Sequence, residues 1–184
     1  MSTSKLPILA EVAIFSAIAL VFDKIPLFTM PQGGSVSLVM LPILLLALRH
    51  GLGVGVGVLT GGIVGTIQLF YGGYFLNVFQ VFLDYALSYA GIGLAGLVAP
   101  TLSKQKDLKN ATLIITLASF LGGSIRLIAT FLSGIIFYAD YAPDGMPVWF
   151  YSFTYNISYI LPSTAIASIL LILLYRARPG FYNL

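Results

Sequence analysis

The chain has 184 residues, of which 59% are hydrophobic and 8% charged, against roughly 25% charged in an ordinary soluble domain. Its 9 basic and 6 acidic side chains are too few to cover a soluble globule, which excludes a cytosolic enzyme and a disordered chain and points to a surface that faces lipid. With 0 Cys and 1 His, disulfides, thiolate metal sites and a multi-histidine metal site are excluded as well.

At about 20 residues per crossing, the length accommodates six spans, so the sequence predicts an all-α integral membrane protein, one transmembrane domain over residues 1–184. No cleavable signal peptide is expected, because the polar start Met1–Pro7 leads into a run long enough for a first helix. Span 1 is read as 6–22, ended by Asp23-Lys24-Ile25-Pro26, with a loop through Pro31-Gln32-Gly33-Gly34-Ser35. Span 2, 36–48, is short, and Pro42 inside it predicts a kink. Span 3, 52–70, is rich in glycine (Gly53, Gly55, Gly57, Gly61, Gly62, Gly65), which suits close helix packing. Span 4 is 76–98, ended by Ala99-Pro100, and the most polar loop follows, Ser103 to Asn110. Spans 5 and 6 are 111–138 and 148–175, joined by a loop through Asp140 and Asp144.

Cationic loop residues set orientation. With the N-terminus inside, Lys5, Arg49, Lys104, Lys106, Lys109, Arg176 and Arg178 are cytoplasmic, and the outer loops keep only Lys24. Both termini are therefore predicted to be cytoplasmic. The net charge of +3 reads as a topology signal, not as a nucleic-acid footprint.

Charges within spans are costly and usually functional. Three stand out: Glu11, Asp84 and Arg126. At 1.5 Å per residue, Asp84 and Thr130 lie about 12 Å below the outer ends of their spans and Arg126 about 18 Å. Asp84 and Arg126, about 6 Å apart in depth, are candidates for a structural pair. Tyr74, Asn77, Gln80, Tyr85, Tyr138, Trp149, Tyr151, Tyr155 and Asn156 share the outer half with them. The convergence predicts a pocket open to the outside, formed by spans 4 to 6, for a small flat ligand that is cationic or hydrogen-bonding. The competing readings are an interfacial aromatic belt for Tyr138 and Trp149, a helix–helix contact for Asn156 and a backbone bond for Thr130. Glu11 is read as structural or partner-facing, and His50 as solvated beside Arg49. There is no nucleophile–base pair and no P-loop, so no enzyme is expected. A pocket without an engine implies a channel, a facilitator, or a subunit that draws its energy from another chain.

Four stretches carry a family resemblance: Leu41-Pro42-Ile43-Leu44-Leu45-Leu46-Ala47-Leu48-Arg49, Phe82-Leu83-Asp84-Tyr85 leading to Gly91-Ile92-Gly93-Leu94-Ala95-Gly96-Leu97, Phe131-Leu132-Ser133-Gly134, and Tyr141-Ala142-Pro143-Asp144-Gly145 with Tyr151-Ser152 through Tyr155-Asn156. Over nearly its whole length the chain resembles the substrate-binding S components of energy-coupling factor vitamin transporters, the thiamine-specific branch above all. The resemblance implies a non-catalytic subunit of a bacterial plasma membrane. It would capture a vitamin outside and work with a transmembrane coupling subunit and two ATP-binding cassette ATPases, with no cofactor of its own. It further implies that Asp84, Tyr85, Tyr74, Tyr138, Tyr151 and Asn156 line the pocket, and that Ala13 and Ala17 dock on the coupling subunit. Thr130 stands where the family has a pocket histidine, and Gly33 and Ser37 fall at about the places of a family Trp and carboxylate. The ligand stays open between thiamine and a smaller ring vitamin, hydroxymethylpyrimidine or pyridoxine.

Overall fold

The computed structural model describes residues 5–51, 55–71, 73–105 and 107–182. Of the positions singled out above, Gly53 and Lys106 lie outside them, as do the first residue of span 3 and the start 1–4. Among the described residues the longer helical segments are, in chain order, α1 (Lys5–Lys24), α2 (Met40–His50), α3 (Val56–Leu69), α4 (Val78–Leu102), α5 (Leu108–Phe137) and α6 (Val148–Ala177). Between α1 and α2 lies a short antiparallel ladder, β1 (Phe28–Thr29) with β2 (Ser35–Val36), in place of the expected loop. Gly33 and Gly34 close its turn at φ 89° and 82°, a region that costs glycine nothing.

Four of the helices, α1, α4, α5 and α6, are long and apolar enough to cross a membrane. By length α2, with 11 residues, reaches about 16 Å and α3, with 14, about 21 Å, both short of a hydrocarbon core of about 30 Å. Apolar all round, α2 is the centre of the bundle: Met40, Ile43, Leu44, Leu46 and Ala47 have no exposed surface. Such a helix has no lipid or water face and is held by packing. Pro42 produces no kink there. It is the third residue of the helix, in the first turn, where a missing N–H leaves no bond unmade.

The glycines of α3 explain how the bundle closes. A Cβ at Gly61 would meet the backbone carbonyl of Tyr89, and one at Gly65 that of Tyr85. The four-residue spacing puts both on one face, so α3 lies directly against the backbone of α4. A Cβ at Gly62, by contrast, would meet nothing within 4 Å. Gly61→Ala should therefore lower stability by about 1–3 kcal/mol. Gly62→Ala should be neutral or stabilising by up to about 1 kcal/mol. Thermal unfolding in detergent checks the pair, and equal melting points would contradict the packing.

In α4 the geometry changes along its length: an α-turn over Val78–Val81, a π-helix over Phe82–Leu87, α again over Ser88–Ile92, a 3-10 stretch over Gly93–Val98 and a last α-turn over Ala99–Leu102. Pro100 thus opens the last turn of the helix and does not end it. The 3-10 stretch coincides with Gly93 and Gly96, which sit against the backbones of Gly57, Ala47 and Gly51.

At the end of the bundle where α1 begins, Glu11 accepts from Arg49 Nε and Nη2, each at 3.2 Å, and its Oε2 lies 2.6 Å from His50 Nε2. Arg49 Nη1 also donates to the Phe181 carbonyl at 2.6 Å. The His50 side chain is 2% exposed, so the expectation of a solvated histidine is corrected. The carboxylate one helix away draws both basic groups inward and ties α1, α2 and the C-terminal turn together.

Candidate functional site

At the opposite end, an open cavity of about 340 Å³ lies between the ladder and helices α4, α5 and α6. It is lined by all seven of the residues expected to bind a ligand: Tyr74, Asp84, Tyr85, Thr130, Tyr138, Tyr151 and Asn156. Each owes its place to a local feature. Asp84 and Tyr85 lie in the π-helical stretch and both line the cavity, a backbone form frequent at functional sites. Asn77 caps the start of α4, its side chain accepting from Gln80 N at 3.0 Å.

Asp84 is held from two sides. Gln80 Nε2 donates to its Oδ2 at 2.7 Å and the Tyr138 hydroxyl to the same oxygen at 3.3 Å. Gln80 Oε1 in turn accepts from Leu76 N at 3.1 Å, which fixes the amide. Among the described residues the Gln80 and Tyr138 bonds both go to Oδ2, with the Ser133 hydroxyl also beside the carboxylate, so Oδ1 is the oxygen with capacity left for a ligand. The sequence reading placed Gln80 in the outer half but did not assign it to the site. Its position four residues before Asp84, one helical turn away, was the available signal.

One wall is a ladder of tyrosines on α6. The rings of Tyr151 and Tyr155 have centroids 5.7 Å apart, and those of Tyr155 and Tyr159 6.2 Å apart. Across the mouth stand Tyr138 and Tyr141, 5.9 Å apart. The Tyr155 hydroxyl accepts from Gln32 N at 2.9 Å and donates to the Gly33 carbonyl at 2.8 Å, pinning the ladder turn over the cavity. A Cβ at Gly34 would meet the Tyr159 ring at 2.8 Å. Tyr155 was legible only as an outer-half aromatic and Tyr159 was missed, although their spacing of four from Tyr151 marks one helix face.

Asn156 is committed on most sides. Its Nδ2 donates to Ser152 O at 2.8 Å and Thr130 O at 3.4 Å, and its Oδ1 accepts from the Tyr159 hydroxyl at 2.7 Å. The helix-contact reading therefore holds beside a place in the cavity lining. Thr130 donates to its own helix, to Arg126 O and Leu127 O at 3.2 Å each, which leaves it only acceptor lone pairs.

Arg126 lines the same cavity, and the expected pair with Asp84 does not form: among the described residues no ion pair joins them. Its Nη2 donates to the Tyr89 hydroxyl at 3.2 Å, and the guanidinium lies 4.6 Å from the Tyr89 ring centroid and 5.9 Å from that of Tyr159. Ala13 and Ala17 are elsewhere, exposed along α1. Among the described residues no cluster of His, Cys, Asp and Glu could hold a metal ion.

The family profile described as "Thiamine transporter protein (Thia_YuaJ)" matches residues 9–183. The chain is 40% identical over 177 residues to the "Thiamine transporter ThiT" of Bacillus subtilis (strain 168), covering 93% of this chain and 91% of that protein. It is 27% identical over 183 residues to the protein of the same name from Lacticaseibacillus paracasei, covering 97% and 91%. A solved structure of ThiT from Listeria monocytogenes superposes with a TM-score of 0.90 at 26% identity, over 99% of this chain and 100% of that one.

Proposed function

We infer that this chain, which belongs to the thiamine transporter protein family, captures thiamine outside the cell as the substrate-binding subunit of a transporter. It is a multi-pass plasma-membrane protein and a transport subunit, not an enzyme. The observation that carries the ligand assignment is the Asp84 carboxylate, presented with Oδ1 open inside a tyrosine-lined cavity. Thiamine has an amino group and a cationic ring, and each suits that oxygen. Its two flat rings suit Tyr85, Tyr138, Tyr151 and Tyr74. Thr130 and Asn156 offer acceptor oxygens to ring substituents. The cavity size falls within the roughly 300–1,000 Å³ common for small-molecule sites.

The cavity end is assigned to the outside and the Glu11–Arg49–His50 end to the cytoplasm, with both termini inside. The asymmetry of cationic loop residues supports this orientation. The reading keeps six membrane segments in one domain, with α2 as a short member buried at the centre and α3 as a short member with one exposed face. Energy comes from partner chains: a transmembrane coupling subunit and two ATP-binding cassette ATPases, with Ala13 and Ala17 at the contact. The exposure of both alanines on α1 supports that contact.

The test has two stages. Titration calorimetry on the purified chain should show tight one-to-one binding of thiamine, and weaker binding of pyridoxine and hydroxymethylpyrimidine. Vesicles containing this chain alone should bind thiamine without accumulating it. Adding the coupling subunit and ATPases should make uptake ATP-dependent. Uptake by the chain alone would instead make it a facilitator.

A further inference from the structure

Of the four long helices, α1 buries the smallest share of its residues, and it packs on α2 and α3. Its inward strip is Val12, Ser16 and Ala19, each buried. Ser16 and Ala19 are small, so they give the neighbouring helices little to grip against rotation of α1 about its own axis. Among the described residues, side-chain hydrogen bonds join α1 to other elements only near its two ends, through Glu11 and Lys24. Lys24 makes a single bond, from Nζ to the Tyr71 carbonyl at 3.4 Å. Glu11 is held far more firmly. Arg49 Nε donates to its Oε2 and Arg49 Nη2 to its Oε1, each at 3.2 Å, and His50 Nε2 lies 2.6 Å from Oε2. A two-point contact between a guanidinium and a carboxylate fixes direction as well as distance. Both basic residues close α2, the helix buried at the centre of the bundle. Arg49 is itself braced by the Phe181 carbonyl, and its guanidinium lies 5.2 Å from the Phe181 ring centroid.

We propose that Glu11 is the rotational lock of α1, a positioning residue that keeps Ala13 and Ala17 turned out of the bundle toward the transmembrane coupling subunit. At about 100° per residue, Ala13 stands about 200° and Ala17 about 240° around the helix from Glu11. Drawing the carboxylate inward onto α2 therefore turns both alanines outward. The exposure pattern follows that register: Ala13, Ile14, Ala17 and Ile18 are exposed between the buried positions Val12, Ser16 and Ala19. A slip of about 100° in one sense would put Ile14 and Ile18 where the alanines point. Branched side chains four apart hold a neighbouring helix away, where two alanines let it approach closely. The inference rests on the reading of the chain as a subunit coupled through α1, and it adds the residue that sets which face of α1 the partner meets.

The chain has 0 Cys, so single cysteines report the register directly. Ile14→Cys marks the outward face and Ser16→Cys the buried one. In the purified full chain in detergent, N-ethylmaleimide should label Ile14→Cys at least tenfold faster than Ser16→Cys. With Glu11→Gln added to each, that ratio should fall below threefold. Glu11→Gln in the cysteine-free chain should bind thiamine within about twofold of wild type. Its ATP-driven uptake, in vesicles that also hold the coupling subunit and ATPases, should drop tenfold or more. Arg49→Lys keeps the positive charge and gives up the two-point contact, and it takes the same measurements if Glu11→Gln no longer binds thiamine. A labelling ratio that stays at the wild-type value in a thiamine-binding variant overturns the lock. A fallen ratio with unchanged uptake overturns its part in docking, and loss of thiamine binding in both variants makes the cluster a folding element instead. Wild type without ATP-driven uptake overturns the functional reading, and the labelling ratio then decides separately whether Glu11 sets the register.

Discussion

Asp84→Asn should weaken thiamine binding by more than tenfold without unfolding the chain. The side chains are nearly equal in volume, and one Asn oxygen can still accept from Gln80 Nε2 and the Tyr138 hydroxyl, which now bond Oδ2 at 2.7 and 3.3 Å. The atom left for the ligand then becomes an N–H₂ in place of Oδ1. A donor faces the donor or cation that the carboxylate would have met. A hydrogen bond to a charged group contributes about 1.5–3 kcal/mol, and about 1.4 kcal/mol is a factor of ten. Tyr138→Phe is the graded comparison. It removes one 3.3 Å bond to the carboxylate and keeps the charge and most of the ring surface, so its loss should be severalfold and smaller. Calorimetry on the two variants decides it. An unchanged dissociation constant for Asp84→Asn would remove the carboxylate from the site.

The second large effect belongs to α1. Ala13→Trp or Ala17→Trp should abolish ATP-driven uptake in vesicles holding the full transporter and leave thiamine binding within about twofold of wild type. Both alanines are exposed and neither lines the cavity. Residues four apart share a helix face, and helices in lipid approach closely only where that face is small. An indole on it holds the neighbouring helix away and touches nothing in the site. The split readout separates docking from folding, since a misfolded subunit would lose binding too. Uptake that survives both changes would place the contact elsewhere.

Much of the site was legible because an apolar chain makes polar residues conspicuous. Asp84, Thr130 and Asn156 stand in spans with few competitors, and counting 1.5 Å per residue put them in one leaflet. The count gives depth along a helix but not rotation about it. That is why Asp84 and Arg126 read as a possible pair although they turn to different partners, Asp84 to Gln80 and Tyr138, Arg126 to Tyr89. The same blindness left His50 among the solvated groups, since nothing local says that Glu11 faces it from α1. Hydropathy separates α2 from α3 but does not fix the turn at Gly51, φ 69°. Nor does it show that Ser35 and Val36 belong to a strand that pairs with Phe28 and Thr29. Those outcomes depend on contacts across the bundle, such as the bonds from Tyr155 to the ladder turn.

The brevity of α3 has a consequence for the lipid around it. At 14 residues it is about 21 Å long, while α5 and α6, with 30 residues each, are about 45 Å long. A bilayer of even thickness cannot match both sides of one perimeter. It thins beside α3, thickens beside α5 and α6, or lets the body lean until the mismatch is shared. The acyl chains therefore act as a spring that sets the resting tilt of the protein. Bilayer thickness becomes a control variable for transport, separate from anything the cavity does.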